Sequence, residues 1–315
     1  MPSSTRQALL QALSAAEGEY ISGQQLAETL GVSRAAVHKA AAALTAQGYA
    51  LEAAPRRGYR LTGGDPFCAE AVGEYPAPVY VYDTLESSNR TAKLLALDGA
   101  PHGTLVLTAH QSAGRGRLGR RFESPAGKGV YCSVLLRPEV PAASAQTVTI
   151  SAAVAVCRAV KALCGIELSI KWVNDLYYQG KKVCGILTEA GTDLESGRLE
   201  WLVVGIGLNL TSTAADWPAE LAGKAGSLYP GGPAPVSRAA LAGAIARELL
   251  ALCPGFDCLD EYRARCFVPG HWVTVCAWAE TYAAKALAID DEGRLVVRRE
   301  NGREEALRCG EVTTR

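Results

Sequence analysis

Residues 111–121, with the sequence Gln-Ser-Ala-Gly-Arg-Gly-Arg-Leu-Gly-Arg-Arg, decide the fold of this chain. They directly follow the apolar run Thr104–Thr108, which is typical of a strand. Three glycines in the segment have the G-x-G-x-x-G spacing of a dinucleotide-binding turn, but that turn must open a helix. Residues 122–129 contain Pro and Gly in place of a helical pattern. The segment therefore predicts a loop that follows a strand, and not a dinucleotide-binding turn.

The same loop carries four arginines within seven residues: Arg115, Arg117, Arg120 and Arg121. Glycines give the backbone unusual freedom, and guanidinium groups match phosphates and carboxylates. We expect an anion-binding loop that is poorly ordered until an anion offsets the repulsion between its charges. A solvated basic turn or an RNA-binding patch is the alternative.

Two segments further along the chain supply more cations. Residues 171–175, Lys-Trp-Val-Asn-Asp, end one apolar run, and residues 181–187, Lys-Lys-Val-Cys-Gly-Ile-Leu, begin the next. The intervening Leu176–Gly180 has the length of a hairpin turn. Such a turn would bring the lysines and the Asn-Asp pair together at one end of a sheet.

Formation of an acyl-adenylate needs these residue types, because a carboxylate and the α-phosphate of ATP must approach to bonding distance. Cations neutralise the charge of that transition state, and Asp or Asn can hold Mg²⁺. The sequence contains no nucleophile elbow, P-loop or H-E-x-x-H helix. It therefore predicts a reaction governed by positioning and charge.

Residues 76–266 alternate strand-like and helical runs, which indicates an α+β catalytic domain with a central mixed sheet flanked by helices. The predicted strands are Val79–Tyr82, Thr104–Thr108, Val130–Leu136, Leu168–Trp172, Val183–Thr188 and Trp201–Leu210. The predicted helices are Ala143–Leu163 and Ser237–Leu252. Ser87, Ser88 and Asn89 follow the first strand, where they either present polar groups to a ligand or cap a helix.

Residues 1–62 have the pattern of a winged helix-turn-helix. Gly23–Leu30 predicts a short helix, and Ser33 is a good cap for a second helix that extends to about Gln47. A hairpin with a basic tip follows, and the module carries a small positive excess of charge. The candidate DNA contacts are Arg34, His38, Lys39, Arg56 and Arg57. A helical protein-interaction domain is the alternative.

Residues 63–75 predict a linker, because Gly63-Gly64-Asp65-Pro66 opens the segment. Residues 267–315 predict a small β-domain of the SH3-like barrel type. Its expected strands are Trp272–Ala277, Ala284–Ile289 and Leu295–Val297, with turns at Gly293 and Asn301-Gly302.

The composition of the 315 residues is that of an ordinary globular protein, with 49% hydrophobic residues and 32 charges of each sign. Anion binding must therefore come from local clusters. Ten cysteines are scattered without a C-x-x-C pair, which favours a reduced, cytoplasmic protein without a structural metal. The start lacks a signal-peptide pattern, and no run of about eighteen uncharged apolar residues predicts a membrane span.

Taken in order, the motifs S-S-N, G-R-G-R-x-G-R, K-W-V-N-D, K-K-V-x-G-I-L-x-E and G-I-G-L-N resemble those of the biotin–protein ligase family. The winged helix makes the chain similar to the bifunctional ligase and biotin-operon-repressor branch. The resemblance implies biotin and ATP as substrates, Mg²⁺, a biotin carboxyl carrier protein, operator DNA and a ligand-dependent homodimer.

The resemblance also implies a role for each matching position. The biotin-binding residues would be Ser87, Ser88, Asn89, Gln111, Arg115, Gly116, Arg117, Lys182 and Gly185. The ATP and metal side would be Arg117, Lys171, Asn174, Asp175 and Asn209. Lys182, Arg115 and Arg117 would be catalytic, and Gly207 would let ligand and backbone meet closely. A lipoate-type acyl-adenylating ligase, or a transcription factor that only senses a metabolite, is the alternative.

Overall fold

The computed structural model describes residues 5–138, 145–192, 199–253, 255, 257–277, 280–308 and 310–314. The chain divides into two compact units. Residues 1–74 and 236–240 form the first, and residues 75–235 and 241–315 form the second. Apart from residues 236–240, the two predicted domains 76–266 and 267–315 therefore lie within one unit.

The first unit contains the predicted helix-turn-helix. Its helices are α1 (Thr5–Ala15), α2 (Gly23–Leu30) and α3 (Arg34–Ala46). Each of α2 and α3 begins after a serine whose side-chain oxygen accepts a backbone N–H of the first turn. The three helices bury a shared apolar core that includes Leu9, Leu13, Leu26, Val37, Ala40, Ala41 and Leu44.

The wing is the antiparallel pair β1 (Tyr49–Ala54) and β2 (Gly58–Gly64). Gly58 has φ +103°, and a Cβ there would lie 2.1 Å from the carbonyl oxygen of Ile21, so glycine is required. The predicted boundary at residue 62 is wrong by two residues, because Gly63 and Gly64 pair with Ala50 and Tyr49. Glycine pairs are typical of turns, so the sequence of Gly63 and Gly64 did not indicate that the strand continues through them.

The segment predicted to be a linker, residues 63–75, is hydrogen-bonded to the rest of the first unit. After β2, the N–H groups of Asp65 and Phe67 donate to the carbonyls of Gly48 and Gln47, at the end of α3. A short 3₁₀ turn follows at Ala69–Val72. The segment therefore packs on the first unit and adds to its core.

The Ser33 cap yields a stability prediction for the helix that follows it. Ser33 Oγ lies 3.1 Å from the backbone N of Ala36 and satisfies one orphan donor. We expect Ser33→Ala to destabilise α3 by about 1 kcal/mol. Hydrogen exchange of peptides from residues 34–46 in the full chain should then be about fivefold faster. Ser33→Asp is the matched control and should retain protection, whereas equal exchange in wild type and Ser33→Ala would contradict the assigned cap.

A seven-stranded mixed sheet forms the centre of the second unit, as predicted. Its strands are β3 (Val79–Leu85), β4 (Leu105–Gln111), β5 (Gly129–Leu136), β6 (Ser169–Lys171), β7 (Asp175–Tyr178), β8 (Lys181–Thr192) and β9 (Leu199–Asn209). The order across the sheet is β3-β4-β5-β9-β8-β7-β6. Only β3 and β4 run parallel; the other neighbours are antiparallel.

The structure corrects the expected hairpin at Leu176–Gly180. Most of that segment is β7, which pairs with β6 on one side and β8 on the other. The turns are residues 172–174 and 179–180. The consequence drawn from the hairpin still holds, because both lysine segments and the Asn-Asp pair meet at this end of the sheet.

The helices of the second unit are α4 (Ser88–Leu97), α5 (Ala145–Cys164), α7 (Leu259–Arg265) and all but the first three residues of α6 (Arg238–Leu252). Ala143 and Ser144, the expected start of α5, lie outside the described residues. Residues Gln146–Cys164 are long and apolar enough to cross a membrane, with a mean hydropathy of 1.6. Because 61% of this stretch is buried and α5 packs on β8, β9 and α7, it is a core helix here.

The C-terminal strands form a separate five-stranded antiparallel sheet. They are β10 (Trp272–Ala277), β11 (Glu280–Ile289), β12 (Leu295–Arg299), β13 (Glu304–Leu307) and β14 (Glu311–Thr314), in the order β13-β12-β11-β10-β14. The expected turns at residues 293 and 301–302 are present. Closure of this sheet into an SH3-like barrel stays a prediction.

Candidate active site

A cavity of about 360 Å³ opens at one end of the mixed sheet, within the range of small-molecule sites. Twelve of the residues predicted to bind ligand line it, from segments far apart in sequence. They are Ser87, Ser88, Asn89, Gln111, Arg115, Gly116, Arg117, Lys171, Asn174, Asp175, Lys182 and Gly185. The arginine loop and the Lys182 strand thus meet in one cavity, as the sequence predicted.

The lining of this cavity is strongly cationic. It contains seven cationic side chains and two carboxylates. The cations are Arg115, Arg117, Arg120, Arg121, Lys171, Lys182 and Lys224, and the carboxylates are Asp175 and Glu311. A chain without net charge therefore concentrates positive potential where an anion would bind.

The arginine loop folds back on itself. Gly116 N donates to Arg120 O at 2.7 Å, around a short 3₁₀ turn at Arg117–Gly119. Helix geometry does not continue beyond this turn, which confirms the rejection of a dinucleotide-binding turn. The expected disorder of the empty loop stays a prediction.

Arg117 joins the loop to two other segments. Its Nη1 donates to Asn174 Oδ1 at 2.9 Å, and its Nη2 donates to Gly310 O at 3.1 Å. Arg120 forms an ion pair with Glu311. The segment before β14 therefore forms one wall of the cavity.

Lys182 forms an ion pair with Asp175, with 2.6 Å between Nζ and Oδ1. Its side chain is 37% exposed and faces the cavity. Its backbone is bonded in both directions to the segment Lys224–Gly226. The ammonium group is thus held ready for an anion by a carboxylate that is itself a cavity residue.

Lys171 is the second predicted lysine of the cavity, and it is partly buried. Burial lowers its pKa, and the nearby carboxylate of Asp175 partly offsets that effect. Its Nζ lies 5.9 Å from the ring centroid of Tyr177. A phosphate in the cavity would therefore stabilise the charged form of Lys171.

Polar side chains at the start of α4 are buried. Ser87 precedes the helix but makes no side-chain capping bond, which argues against capping as its main role. Ser88 N donates to Gln111 Oε1 at 2.9 Å. Asn89 Nδ2 lies 2.8 Å from Glu189 Oε2. A set of fixed polar groups therefore adjoins the cavity.

Asn209, expected on the ATP side, does not belong to the cavity lining. It is 6% exposed at the end of β9, and its Nδ2 donates to Gly226 O at 2.9 Å. Because Gly226 N in turn donates to Lys182 O at 2.8 Å, Asn209 supports the segment that holds Lys182. Its role on the ATP side stays a prediction, beside this positioning contact.

Gly207 allows close approach, as expected, but the group that approaches is the ring of Phe122, whereas Gly185 faces both Lys182 and Phe122 at ordinary contact distances. A Cβ on Gly207 would lie 2.4 Å from Phe122 Cζ, and one on Gly185 would lie 3.5 Å from Phe122 Cε2. Phe122 also contacts Tyr131 edge to face, with 6.4 Å between ring centroids. Phe122 therefore lies across the adjacent strands β8 and β9 and supplies an apolar part of the cavity wall.

Sequence reasoning missed several cavity residues. Phe122, Lys224 and the segment 310–313 line the cavity but belong to no motif in the sequence. The adjacency of Phe122 to the arginine loop was the available signal for that residue. For the others no local signal exists, because their position depends on packing between distant segments.

The contact between Gly207 and Phe122 gives a testable prediction. We expect Gly207→Ala to displace the Phe122 ring and raise the KM for biotin, the substrate that the sequence resemblance implies, about tenfold, because overpacking costs about 1–3 kcal/mol. Steady-state kinetics at saturating ATP would measure it. Gly232→Ala is the matched control, since a Cβ there meets nothing within 4 Å. An unchanged KM in Gly207→Ala would contradict the assignment of Phe122 to the wall of the binding cavity.

The cavity could hold a divalent cation only together with a ligand. No group of three or more His, Cys, Asp or Glu that could bind a metal exists among the described residues. Asp175 is a carboxylate of the cavity lining, next to Lys171 and Asn174, which are predicted to face the ATP phosphates. Mg²⁺ commonly binds through one or two carboxylates plus substrate phosphates, so Asp175 fits that pattern.

The candidate DNA-binding residues all lie on the surface of the first unit. Arg34, His38, Lys39, Arg56 and Arg57 are exposed. The buried face of α3 comprises Val37, Ala40, Ala41 and Leu44, which leaves Arg34, His38 and Lys39 on the opposite, exposed side. The guanidinium carbon of Arg57 lies 4.0 Å from the ring centroid of Tyr20. These positions agree with a recognition helix and a basic wing.

A winged helix-turn-helix unit in one chain with a cationic cavity of this kind defines a class of protein, the DNA-binding ligases that activate a carboxylate. Profile comparison agrees with both parts. The HTH domain profile matches residues 5–60, and the profile of the Biotin/lipoate A/B protein ligase family matches residues 81–209.

This chain belongs to the biotin/lipoate protein ligase family, within its bifunctional ligase/repressor group. It is 36% identical to "Bifunctional ligase/repressor BirA" of Bacillus subtilis (strain 168), over 96% of each chain. The protein of the same name from Escherichia coli (strain K12) is 32% identical, over 62% of this chain and 61% of that protein.

A solved structure of similar fold is "Biotin protein ligase from Aquifex aeolicus in complex with biotin and ATP". It has a TM-score of 0.61 and 24% identity, and the match covers 76% of this chain and 98% of the other. This likeness shows the fold of the ligase part.

Proposed function

We propose that this protein is an ATP-dependent biotin–protein ligase that also represses transcription in response to biotin. In the first step a biotin carboxylate oxygen attacks the α-phosphorus of ATP, which forms biotinyl-5′-AMP and releases pyrophosphate. In the second step the ε-amine of a lysine on a biotin carboxyl carrier protein attacks the acyl carbon. An amide forms, AMP leaves, and the amine loses a proton.

The observation that carries this proposal is the convergence of Lys182 and the arginine loop on one cavity. Two anions must meet in the first step, and the seven cations of the lining can offset their repulsion. Lys182 would release its ion pair with Asp175 and contact the biotin carboxylate and the α-phosphate instead. Arg115 and Arg117 would close over the adenylate and exclude water, which protects the mixed anhydride from hydrolysis.

The remaining residues have roles that follow from their positions. Ser87, Ser88 and Gln111 would surround the biotin ureido group, and Lys171 and Asn174 would serve the phosphate side. Asp175 would hold Mg²⁺ together with the ATP phosphates, and the ion would supply charge neutralisation of the leaving pyrophosphate.

The repressor half of the proposal rests on the first unit. Exposed basic residues on α3 and at the wing tip would contact phosphates and base edges of an operator. Because one module of small positive charge binds weakly, we propose that a homodimer reads two half-sites. The scattered thiols, free at every described cysteine, support a cytoplasmic location.

The enzyme proposal is tested by incubation with ATP, Mg²⁺, radiolabelled biotin and a biotin carboxyl carrier domain. Label on the carrier, lost when its acceptor lysine is replaced by Arg, is the expected result. A parallel reaction with labelled lipoate tests the alternative ligase. Transfer of lipoate in place of biotin, or of neither, would overturn the proposal.

Coupling between the two halves is tested by sedimentation. We expect biotinyl-5′-AMP to shift the protein from monomer toward dimer, since a ligand that prefers the dimer must stabilise it. An unchanged sedimentation coefficient over the same range of protein concentration would contradict the regulatory half and leave the ligase reaction intact.

A further inference from the structure

The segment before α2 is tied to the wing of the first unit. The backbones of Ile21 and Tyr59 exchange two hydrogen bonds of 2.9 Å, which form an antiparallel bridge to β2. Ser22, the next residue, caps α2. The backbone of Tyr20 is therefore fixed at the junction between the wing and the helix-turn-helix.

Two wing arginines lie close to the ring of Tyr20. The guanidinium carbon of Arg57 is 4.0 Å from the ring centroid, and that of Arg60 is 4.8 Å from it. A guanidinium group at such a distance is attracted to the face of an aromatic ring. Both arginines are therefore held at one place on the wing.

A carboxylate distinguishes the two arginines. Glu52 on β1 lies directly opposite Arg60 on β2, and its Oε2 accepts from Nε and Nη2 of Arg60 at 2.8 and 2.6 Å. The hydroxyl of Tyr20 donates to the other oxygen of Glu52. Hydrogen bonds from Tyr20 and Arg60 lower the pKa of Glu52, so this carboxylate stays charged at neutral pH. The ion pairs of the described residues include Arg60 but not Arg57.

This difference in pairing decides which arginine is available to an anion. Arg60 can reach a phosphate only by leaving Glu52, and the freed carboxylate would then repel the same phosphate at short range. Arg57 keeps its full charge, because its contact is with a neutral ring. The ring also restricts the Arg57 side chain before binding, which reduces the entropy that the side chain would lose on binding.

We infer that Tyr20 is a positioning residue that holds Arg57 for contact with a DNA phosphate, and that Glu52 withholds Arg60 from such a contact. The inference rests on the proposed function and deepens it, because it says which arginines of the wing contribute to DNA affinity. The pattern of the sequence gave neither Tyr20 nor Glu52 a role in DNA binding.

The first test measures the affinity of the full chain for a labelled random-sequence duplex, by fluorescence anisotropy at several salt concentrations. Each phosphate contact contributes about 0.9 to the slope of log K against log salt. Glu52→Gln frees Arg60, so we expect binding about fivefold tighter near physiological salt and a slope steeper by about 0.9. The double variant Glu52→Gln with Arg60→Ala keeps the net charge of the wild type and should restore the wild-type slope.

Variants of Tyr20 test the positioning role. Tyr20→Leu removes the ring and should weaken DNA binding about fourfold, in line with an exposed contact between a cation and a ring. The slope should stay near the wild-type value, because Arg57 keeps its charge. Tyr20→Phe retains the ring and should bind as the wild type does. Tyr20→Leu combined with Arg57→Ala should bind no more weakly than Arg57→Ala alone, since the ring acts through that arginine.

Glu70→Gln is the matched control for the change of charge. Glu70 forms an ion pair with Arg6 of α1, so this variant also frees an arginine of the first unit, but one outside the recognition helix and the wing. Its slope should match that of the wild type. A slope as steep as that of Glu52→Gln would mean that any added positive charge on the unit suffices, which overturns the role of Glu52.

The outcomes separate this inference from the proposed function. If wild type binds no duplex DNA at low salt, the repressor half of the proposed function fails and the inference falls with it. If wild type binds DNA and Tyr20→Leu binds equally well, the role of Tyr20 is overturned. A double variant with a slope shallower than wild type by about 0.9 would place Arg60 on a phosphate and overturn the role of Glu52. Should Tyr20→Leu not fold, Tyr20→Ile takes its place.

Discussion

Lys182→Ala is expected to lower the rate of biotinyl-5′-AMP formation about 10²–10³-fold, the usual loss when one charged or donating group at a transition state is removed. The ammonium is paired with Asp175 at 2.6 Å, so its loss also leaves that carboxylate uncompensated in the cavity. Repulsion from Asp175 would then add to the loss of attraction. Pyrophosphate release under saturating biotin and ATP measures the effect.

Lys181→Ala is the matched control for this prediction. Lys181 is the adjacent residue of β8 and is exposed outside the cavity lining, so its removal changes the same net charge. We expect activity within about twofold of wild type. Equal loss in both variants would mean that general electrostatics, and not a placed ammonium group, supports the reaction.

A triple variant of the first unit, Arg34→Ala with Lys39→Ala and Arg56→Ala, is expected to lose about 100-fold in affinity for duplex DNA near physiological salt. Each phosphate contact contributes about 0.9 to the slope of log K against log salt, so the slope should become shallower by about three. Fluorescence anisotropy with a labelled random-sequence duplex, titrated at several salt concentrations, measures both quantities. Carrier biotinylation should stay at the wild-type rate.

Arg6→Ala provides the control for the triple variant. Arg6 carries the same charge in the same unit, but it forms an ion pair with Glu70 and belongs to α1, not to the recognition helix or the wing. Its removal should leave the salt slope unchanged. If DNA affinity is insensitive to the triple variant, the helical module would serve protein interaction, which was the alternative at the sequence level.

Structural features with a local physical cause could be predicted from the sequence. The spacing of arginine and glycine in residues 111–121 predicted a loop after a strand. Ser33, a good cap residue, predicted the start of helix α3. Apolar runs located most strands of the central sheet within a few residues of their ends. These features depend on residues that are neighbours in the sequence, so a single sequence is enough to predict them.

Structural features that depend on pairing between distant segments could not be predicted from the sequence. β7 is only Asp175–Tyr178, and it is a strand because β6 and β8 lie on both sides of it. Asn209 stands in a motif, yet its amide turns toward Gly226 because that segment returns along β8. Glu189 belongs to a quoted motif, but its partners Lys93 and Asn89 are about a hundred positions earlier in the chain.

The excess of guanidinium and ammonium groups around the cavity has a practical consequence for anyone handling this protein. Inorganic phosphate, sulfate and citrate are small anions that such a site would also attract, so buffers containing them would compete with the nucleotide and understate its affinity. Measurements in a zwitterionic buffer with chloride at fixed ionic strength avoid that error, and elution from phosphocellulose would exploit the same attraction for purification.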